Sequence, residues 1–572
     1  MKARCQVAAA ALCALIGSLL AHAQQSPAAI VLSAEYEISG VVTDSVTGVK
    51  LGAITVRIAP AENRPAIQTV KTGNDGSFRF QHLARGKYSL DANGRGYPEQ
   101  GFNQHEYYST AIVVGPGLKS TDIAFRLHPE GTIRGTVVDE ENDPVQNASV
   151  RLFTTVMENG EVRTRIAGVR MTDDLGHFSF THLAEAAYYV AVSGRPWYAV
   201  NAYGRGFRFV EGAPSDSTSS ETEAESDNLD KAFPLTFYDG ALSSAEATAI
   251  DLQPGQTTTA DFTLRAVPSV HISIPRIASE PVRRQGSGGA AEVVITRQTF
   301  TPREVQLFHT IFNDMLLPAE TTMTGNPDGS ERIEIAPGHY VMQVVTPQEG
   351  REGGSYREID VSGDMDLPTD AASLTPVTGV ARFETPHQKL NLSVVIANRQ
   401  LSRGYGARIT GEGEFEFDQP IMPGRYEVSI GSGDGWYLKS FTASGATASG
   451  RTLEISGSNP VRLTLNIGHG LARVDGVAVR EGKPWAGAMI LLVPQDAANS
   501  NVLVRRDQSD SDGTFTLYNV VPGRYTLLAL EDGWRLPWSN PKVLQGYLAQ
   551  GHSIEIPPGA RTEATVQVQQ AH

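Results

Sequence analysis

One motif recurs at domain spacing, and it limits what this chain can fold into more than any other feature. Its core is Asp-Gly-x-Phe-x-Phe, a short gap, then Pro-Gly-x-Tyr. The first copy is Asp75-Gly76-Ser77-Phe78-Arg79-Phe80, with Leu83 and then Gly86-Lys87-Tyr88. Phe178, Phe180, Leu183 and Tyr188 repeat the four key positions one hundred residues later. The last copy is Asp512-Gly513-Thr514-Phe515-Thr516-Leu517, then Val520 and Pro522-Gly523-Arg524-Tyr525. A weaker copy runs Gly413-Glu414-Phe415-Glu416-Phe417 to Pro423-Gly424-Arg425-Tyr426, and the weakest runs Asp328-Gly329, Ile333-Glu334-Ile335, Pro337-Gly338-His339-Tyr340. Self-similarity at this period means one folding unit used several times.

The unit has a physical reading. Asp-Gly supplies a turn that needs positive φ. Phe-x-Phe puts both rings on one face of a strand. Pro-Gly makes the next turn, and the Tyr begins another alternating strand. A second pattern precedes each strong copy: Ile38-Ser39-Gly40-Val41 leads to Ala53-Ile54-Thr55-Val56, Ile133-Arg134-Gly135-Thr136 to Ala148-Ser149-Val150, and Val474-Asp475-Gly476-Val477 to Ala488-Met489-Ile490. A third closes each unit, at Gly117 to Phe125, Gly255 to Leu264 and Gly559 to Val566. Many short strands punctuated by turns predict a β-sandwich. The 56 Gly and 32 Pro of the chain fit that punctuation.

These three patterns resemble the carboxypeptidase regulatory-like domain, a transthyretin-like sandwich of about seven strands. The resemblance is specific in the first, second and fifth units, covers the second half of the fourth, and is little more than a turn and a strand in the third. It implies an accessory rather than catalytic role, and a carbohydrate-binding label often travels with the fold. The expected fold class is therefore all-β: a tandem array of about five such sandwiches. Residues 1–23 read as a signal peptide and 24–35 as a linker. The units span 36–129, 130–268, 269–370, 371–468 and 469–572, the third and fourth being divergent. Because each repeat buries its own core, an extended array with few contacts between non-neighbours is expected. Glu211 to Asp230 holds seven acidic residues and no Lys or Arg, and reads as a disordered loop. Arg283 to Gly289 reads as a flexible stretch near the start of the third unit.

The N-terminus points to export. Lys2 and Arg4 precede an apolar run from Val7 to Leu20, which ends at Ala21-His22-Ala23, a small-x-small cleavage site. The only two cysteines, Cys5 and Cys13, lie in that segment, so the mature chain has no disulfide, thiolate metal site or cysteine nucleophile. Cleavage takes the formal net charge from −15 to −17 by removing Lys2 and Arg4. An acidic chain argues against nucleic acid as a partner. No second stretch is apolar over a length that spans a bilayer. The location expected is the periplasm or the extracellular space.

Catalytic motifs are not found: no His-Glu-x-x-His, no Gly-x-Ser-x-Gly, no phosphate-binding Gly loop. No catalytic residue, metal ligand or cofactor is assigned. His82 and His182 sit at matched repeat positions, which reads as a turn rather than a metal site. Asp507, Asp510 and Asp512 have the wrong spacing for a calcium loop and read as a polar hairpin turn. No Lys and Asn recur at positions suited to an isopeptide crosslink. Aromatics recur beyond the repeat Tyr: Tyr97, Trp197 and Trp534 follow by nine residues and Trp436 by ten. Next to Gly or Pro at strand ends, these four are the candidate carbohydrate-binding residues; the competing reading is a plug packed onto each domain.

The function expected is a non-enzymatic envelope or extracellular scaffold or adhesive spacer. The alternative is carbohydrate binding through the loop aromatics, with a glycan or cell-envelope polymer as partner, and the third reading is an accessory or unrecognised hydrolase. N-terminal sequencing of the exported protein is expected to begin at Gln24; a retained Met1 would refute export.

Overall fold

The computed structural model describes residues 36–572 apart from 62–67, 201–229, 275–303, 313–314, 326–329, 349–350, 368–374, 386–390, 399–402, 432–434, 458 and 497–501. The cleavage site, the acidic stretch up to 229, Arg283 to Gly289 and the Asp328-Gly329 turn lie outside the described residues. The protein is all-β. Strand pairing falls into five successive pairs of layers, the fifth joined into one sheet.

The first sandwich shows the plan. Its strands are β1 (Tyr36–Asp44), β2 (Thr55–Pro60), β3 (Gln68–Lys71), β4 (Ser77–Leu83), β5 (Gly86–Gly94), β6 (Tyr97–Gly101), β7 (Ile112–Val114) and β8 (Ile123–Leu127). One layer has the order β4-β1-β8; the other has β3-β2-β5-β6, with β7 also on β5. The first strand pairs antiparallel with β4, Gly40 facing Phe78, and parallel with the last strand, Gly40 facing Ile123. The second sandwich repeats this with β9 (Gly131–Val138), β10 (Ser149–Glu158), β11 (Glu161–Met171), β12 (His177–Leu183) and β13 (Ala186–Ser193). There β12 and the strand Thr257–Thr259 flank β9, and the other layer runs β11-β10-β13.

The repeat residues are where the layers meet. Phe78, Phe178, Phe415 and Phe515 are all buried, each in its own core cluster. The glycine of the first strand is explained by that ring. A Cβ on Gly476 would collide with the Phe515 ring and the Ala564 carbonyl of the last strand, and Gly379 meets Phe415 and the Leu463 carbonyl in the same way. Only Gly lets the last strand approach so closely. The matched His82 and His182 have φ of 58° and 60°, and Asn519 at the same place in the fifth unit has 53°. All three stand at a register shift in the ladder with the first strand. The position is a β-bulge with positive φ, a conformation that His and Asn adopt more readily than most residues.

The Tyr closes every unit. Its hydroxyl donates across the preceding turn to the carbonyl four residues earlier: Tyr88 to Ala84 at 2.9 Å, Tyr188 to Ala184 at 2.9 Å, Tyr340 to Ala336 at 2.6 Å, Tyr426 to Met422 at 2.7 Å and Tyr525 to Val521 at 2.6 Å. The third unit, faint in sequence, thus has the same lock. It forms two four-stranded sheets between Val270 and Asp366. In the fifth, the last strand Arg561–Gln570 pairs with both Ala472–Arg480 and Gly523–Glu531, joining its two layers.

The extended arrangement expected from the repeats is not what the chain adopts. The first and fifth sandwiches meet, through Lys87 and Asp510 at 2.6 Å and a guanidinium–carboxylate pair between Arg506 and Glu106. The hairpin turn of the second also reaches the fifth, Ser539 Oγ donating to the Gly160 carbonyl at 2.6 Å. Repeat spacing reports each core but not the fit between two domain surfaces.

In the isolated first sandwich, Phe78→Ala is expected to cost about 3–5 kcal/mol by denaturant melt, and Tyr88→Phe about 1 kcal/mol. A loss at Phe78 below about 1 kcal/mol would mean the ring is not a core residue.

Candidate functional site

The four candidate aromatics lie in four different sandwiches, and the structure does not gather them. Tyr97 opens β6, half-buried, and its hydroxyl donates to Asp44 Oδ2 at 2.6 Å. Burial and that carboxylate push the phenol up to about 12. Trp436 is buried, edge-on to Phe383 and against His469. Trp534 is buried in a short 3-10 turn, stacked on His105 at 5.0 Å with the rings 5° from parallel. Trp197 differs: 65% of it is exposed, at the start of the short helix Trp197–Val200. Equal spacing from the Tyr leads to unlike ends because a strand, a helix and a 3-10 turn follow in different units.

Trp197 borders a cavity of about 700 Å³, walled by polar groups of the second sandwich (Asp139, Asp143, Asn147, Arg195) and by Glu320 of the third. Arg195 donates to the Thr321 carbonyl, and its guanidinium lies 3.9 Å from the Glu320 carboxylate. An exposed indole beside carboxylates and an amide can stack on a sugar ring and bind its hydroxyls. The same set holds no assembled nucleophile and base. Among the described residues, no three His, Cys, Asp or Glu stand where they could hold a metal ion.

A dense polar cluster joins the first sandwich to the fifth. Arg506 is 4% exposed and meets Glu106 with two bonds, 3.0 and 2.8 Å, a fork-to-fork fit. Its guanidinium also lies 5.2 Å from the Tyr108 ring centre and 5.3 Å from that of Trp538. Burial works against its charge, but the bonds to Glu106 hold its pKa above the ordinary value. Gln508 donates to the Asn103 carbonyl and to Thr110 Oγ1, both at 2.7 Å. Asp510 takes the Lys87 ammonium and the Ala111 N–H, and Ser511 exchanges bonds with Ala111 and Val113. The turn of the fifth sandwich thus covers the edge of β7. Sequence reasoning missed this surface. Asp510 serves the first sandwich, while Asp512 caps its own turn through the Thr514 N–H at 3.0 Å.

The cluster carries a pH dependence. Asp507 accepts from the Thr516 N–H at 2.7 Å, yet burial pushes its pKa up to about 7, and the like charge of Asp510 adds to this. Burial also raises Asp510, against the pull of Lys87. A carboxyl raised in the folded state stabilises below its unfolded pKa and loses that contribution as pH rises through the folded value. The fifth sandwich is therefore expected to lose stability as pH rises from about 4 to about 7, with Asp507→Asn flattening the profile. Thermal melts across that range read it; a wild-type profile that rises through it would contradict the assignment.

No curated protein matches the chain. Among solved structures, the minor pilin GBS52 of Streptococcus agalactiae aligns at 12% identity over 43% of this chain and 100% of its own, with a TM-score of 0.20. The shaft pilin SpaA of Lactobacillus rhamnosus GG aligns at 10% over 41% and 96%, with a TM-score of 0.18. The Bacillus anthracis TIE protein aligns at 9% over 93% and 73%, with a TM-score of 0.15. Likenesses at these scores carry no argument about what the chain does. The family model of the carboxypeptidase regulatory-like domain matches residues 37–128, which cover β1 to β8. With that match, residues 37–128 are a carboxypeptidase regulatory-like domain.

Proposed function

We propose that the protein is a non-enzymatic exported scaffold, held in a defined shape by the clasp between its first and fifth sandwiches. The observation that carries this reading is the buried Arg506–Glu106 pair, which spends a fork-to-fork ion pair on a contact between domains. Breaking one partner of a buried pair leaves an uncompensated charge, which costs far more than the pair contributes. A clasp of this kind fixes domain positions, and a spacer needs fixed positions. Export rests on the Lys2 to Ala23 segment. No helix among the described residues is long and apolar enough to cross a membrane.

Small-angle scattering on the mature chain tests the scaffold reading. Glu106→Ala and Arg506→Ala are each expected to raise the radius of gyration while the circular dichroism of the sandwiches stays unchanged. A radius of gyration unaltered by both would refute the clasp.

The second reading, carbohydrate binding, is favoured at one position. Trp197 alone of the four aromatics is exposed, and it borders a polar cavity. A glycan array followed by tryptophan fluorescence titration tests it. Trp197→Ala is expected to abolish the emission shift and leave the melting temperature unchanged, whereas Trp534→Ala lowers stability. A chain that binds no glycan on the array loses this reading and leaves the scaffold standing.

A further inference from the structure

The second sandwich has a long edge strand with no described neighbour on its outer side. The strand β11 is terminal in its sheet, hydrogen-bonded to β10 on one side and to no described strand on the other. It is long, eleven residues, and pairs with β10 along its whole length. Thirteen large hydrophobic side chains are exposed among the described residues, and four stand on this strand: Val162, Ile166, Val169 and Met171. An unpaired edge of this kind is a template for another strand.

The register sorts its side chains. Val162, Ile166 and Val169 pair with Met157, Phe153 and Arg151 of β10, alternate residues that share one face, and a bulge beside Phe153 keeps Ile166 and Val169 in phase. Arg163, Arg165 and Arg170 pair with Val156, Thr154 and Val150, and so stand on the other face. Arg163 already meets Glu161 at 2.6 Å, and Arg170 lies over the Phe180 ring. Among the described residues, neither Arg165 nor Arg170 has a carboxylate at ion-pair distance. The edge is thus apolar on one face and cationic on the other, in a chain whose net charge is −15.

That pattern selects its partner. A second copy pairing antiparallel about a two-fold axis keeps faces together and brings arginine row to arginine row, which is unfavourable. We propose that β11 is a docking strand for an extended polypeptide partner with acidic residues at every second position and apolar residues between. Such a strand adds to the sheet by main-chain hydrogen bonds, its carboxylates beside the arginines and its apolar side chains beside the valine, isoleucine and methionine row. Met171 also borders the cavity of Trp197, so the docked strand would end at that cavity.

The test is fluorescence anisotropy with the full chain and a labelled peptide, Glu-Val-Glu-Val-Glu-Val-Glu. Saturable binding is expected, at least about tenfold weaker for the double variant Arg165→Glu/Arg170→Glu, whose exposed positions do not threaten folding. An isomer with the four Glu grouped before the three Val should bind at least about tenfold more weakly, and so should the alternating peptide N-methylated at alternate amides. No saturable binding, or equal binding by the double variant, overturns the proposal. Equal binding of the grouped isomer reduces it to bulk charge and also overturns it. Residues 221–227 of this chain have carboxylates at every second place, Glu221, Glu223, Glu225 and Asp227. Binding that appears only when residues 211–229 are deleted would show the edge already taken by the chain itself, and would overturn an outside partner.

Discussion

A single hydrogen bond, made five times, sets the geometry on which the rest of this molecule depends. Each repeat Tyr sends its hydroxyl back across a tight turn to the carbonyl four residues earlier. The bond ties the strand that carries the repeat core side chains in one layer, Phe78 and Phe80 in the first unit and Ile333 and Ile335 in the third, to the strand that begins the other. The bond is fully buried at Tyr340 and Tyr426 and half-buried in the other three units, and a bond of this kind contributes about 0.5–1.5 kcal/mol. The phenol supplies the donor and fills the corner with apolar ring at once. With the crossing fixed, the Phe of one layer falls onto the glycine of the first strand, and the last strand can close over both.

The outer surfaces follow a different logic. The covered edge of β7 and the open edge of β11 lie in neighbouring sandwiches of the same plan. The first is capped by the Asp510–Ser511 turn from the far end of the chain, and the second is left with apolar side chains in solvent. Core residues repeat because every unit must solve the same packing problem. Edge and loop residues diverge because each meets a different neighbour.

That division decides what could be read in the sequence. Phe78, Phe178 and Phe515 could be placed in cores because alternation and turn chemistry are local. The fourth unit could have been extended backward from Val377-Thr378-Gly379-Val380, whose glycine plays the part of Gly476. The third kept only a turn and the Ile333-Glu334-Ile335 strand before Gly338-His339-Tyr340, yet the Tyr bond is intact. The clasp was illegible: Arg506 and Glu106 are 400 residues apart, and nothing in either local sequence names the other. The aromatics show the same limit. Nine residues after the Tyr, Tyr97 begins a strand, Trp197 a helix and Trp534 a 3-10 turn, so spacing alone could not separate the exposed ring from the buried ones.

The parallel pairing of first and last strands has a mechanical consequence. In all five sandwiches the strand that enters the domain lies beside a late strand running the same way. Tension along the chain then pulls the two in opposite directions along their length. Their ladder is loaded in shear, so its hydrogen bonds share the force instead of opening one after another. Resistance to stretching is governed by the rate of unfolding rather than by equilibrium stability. A domain built this way yields late under load, whatever its equilibrium stability.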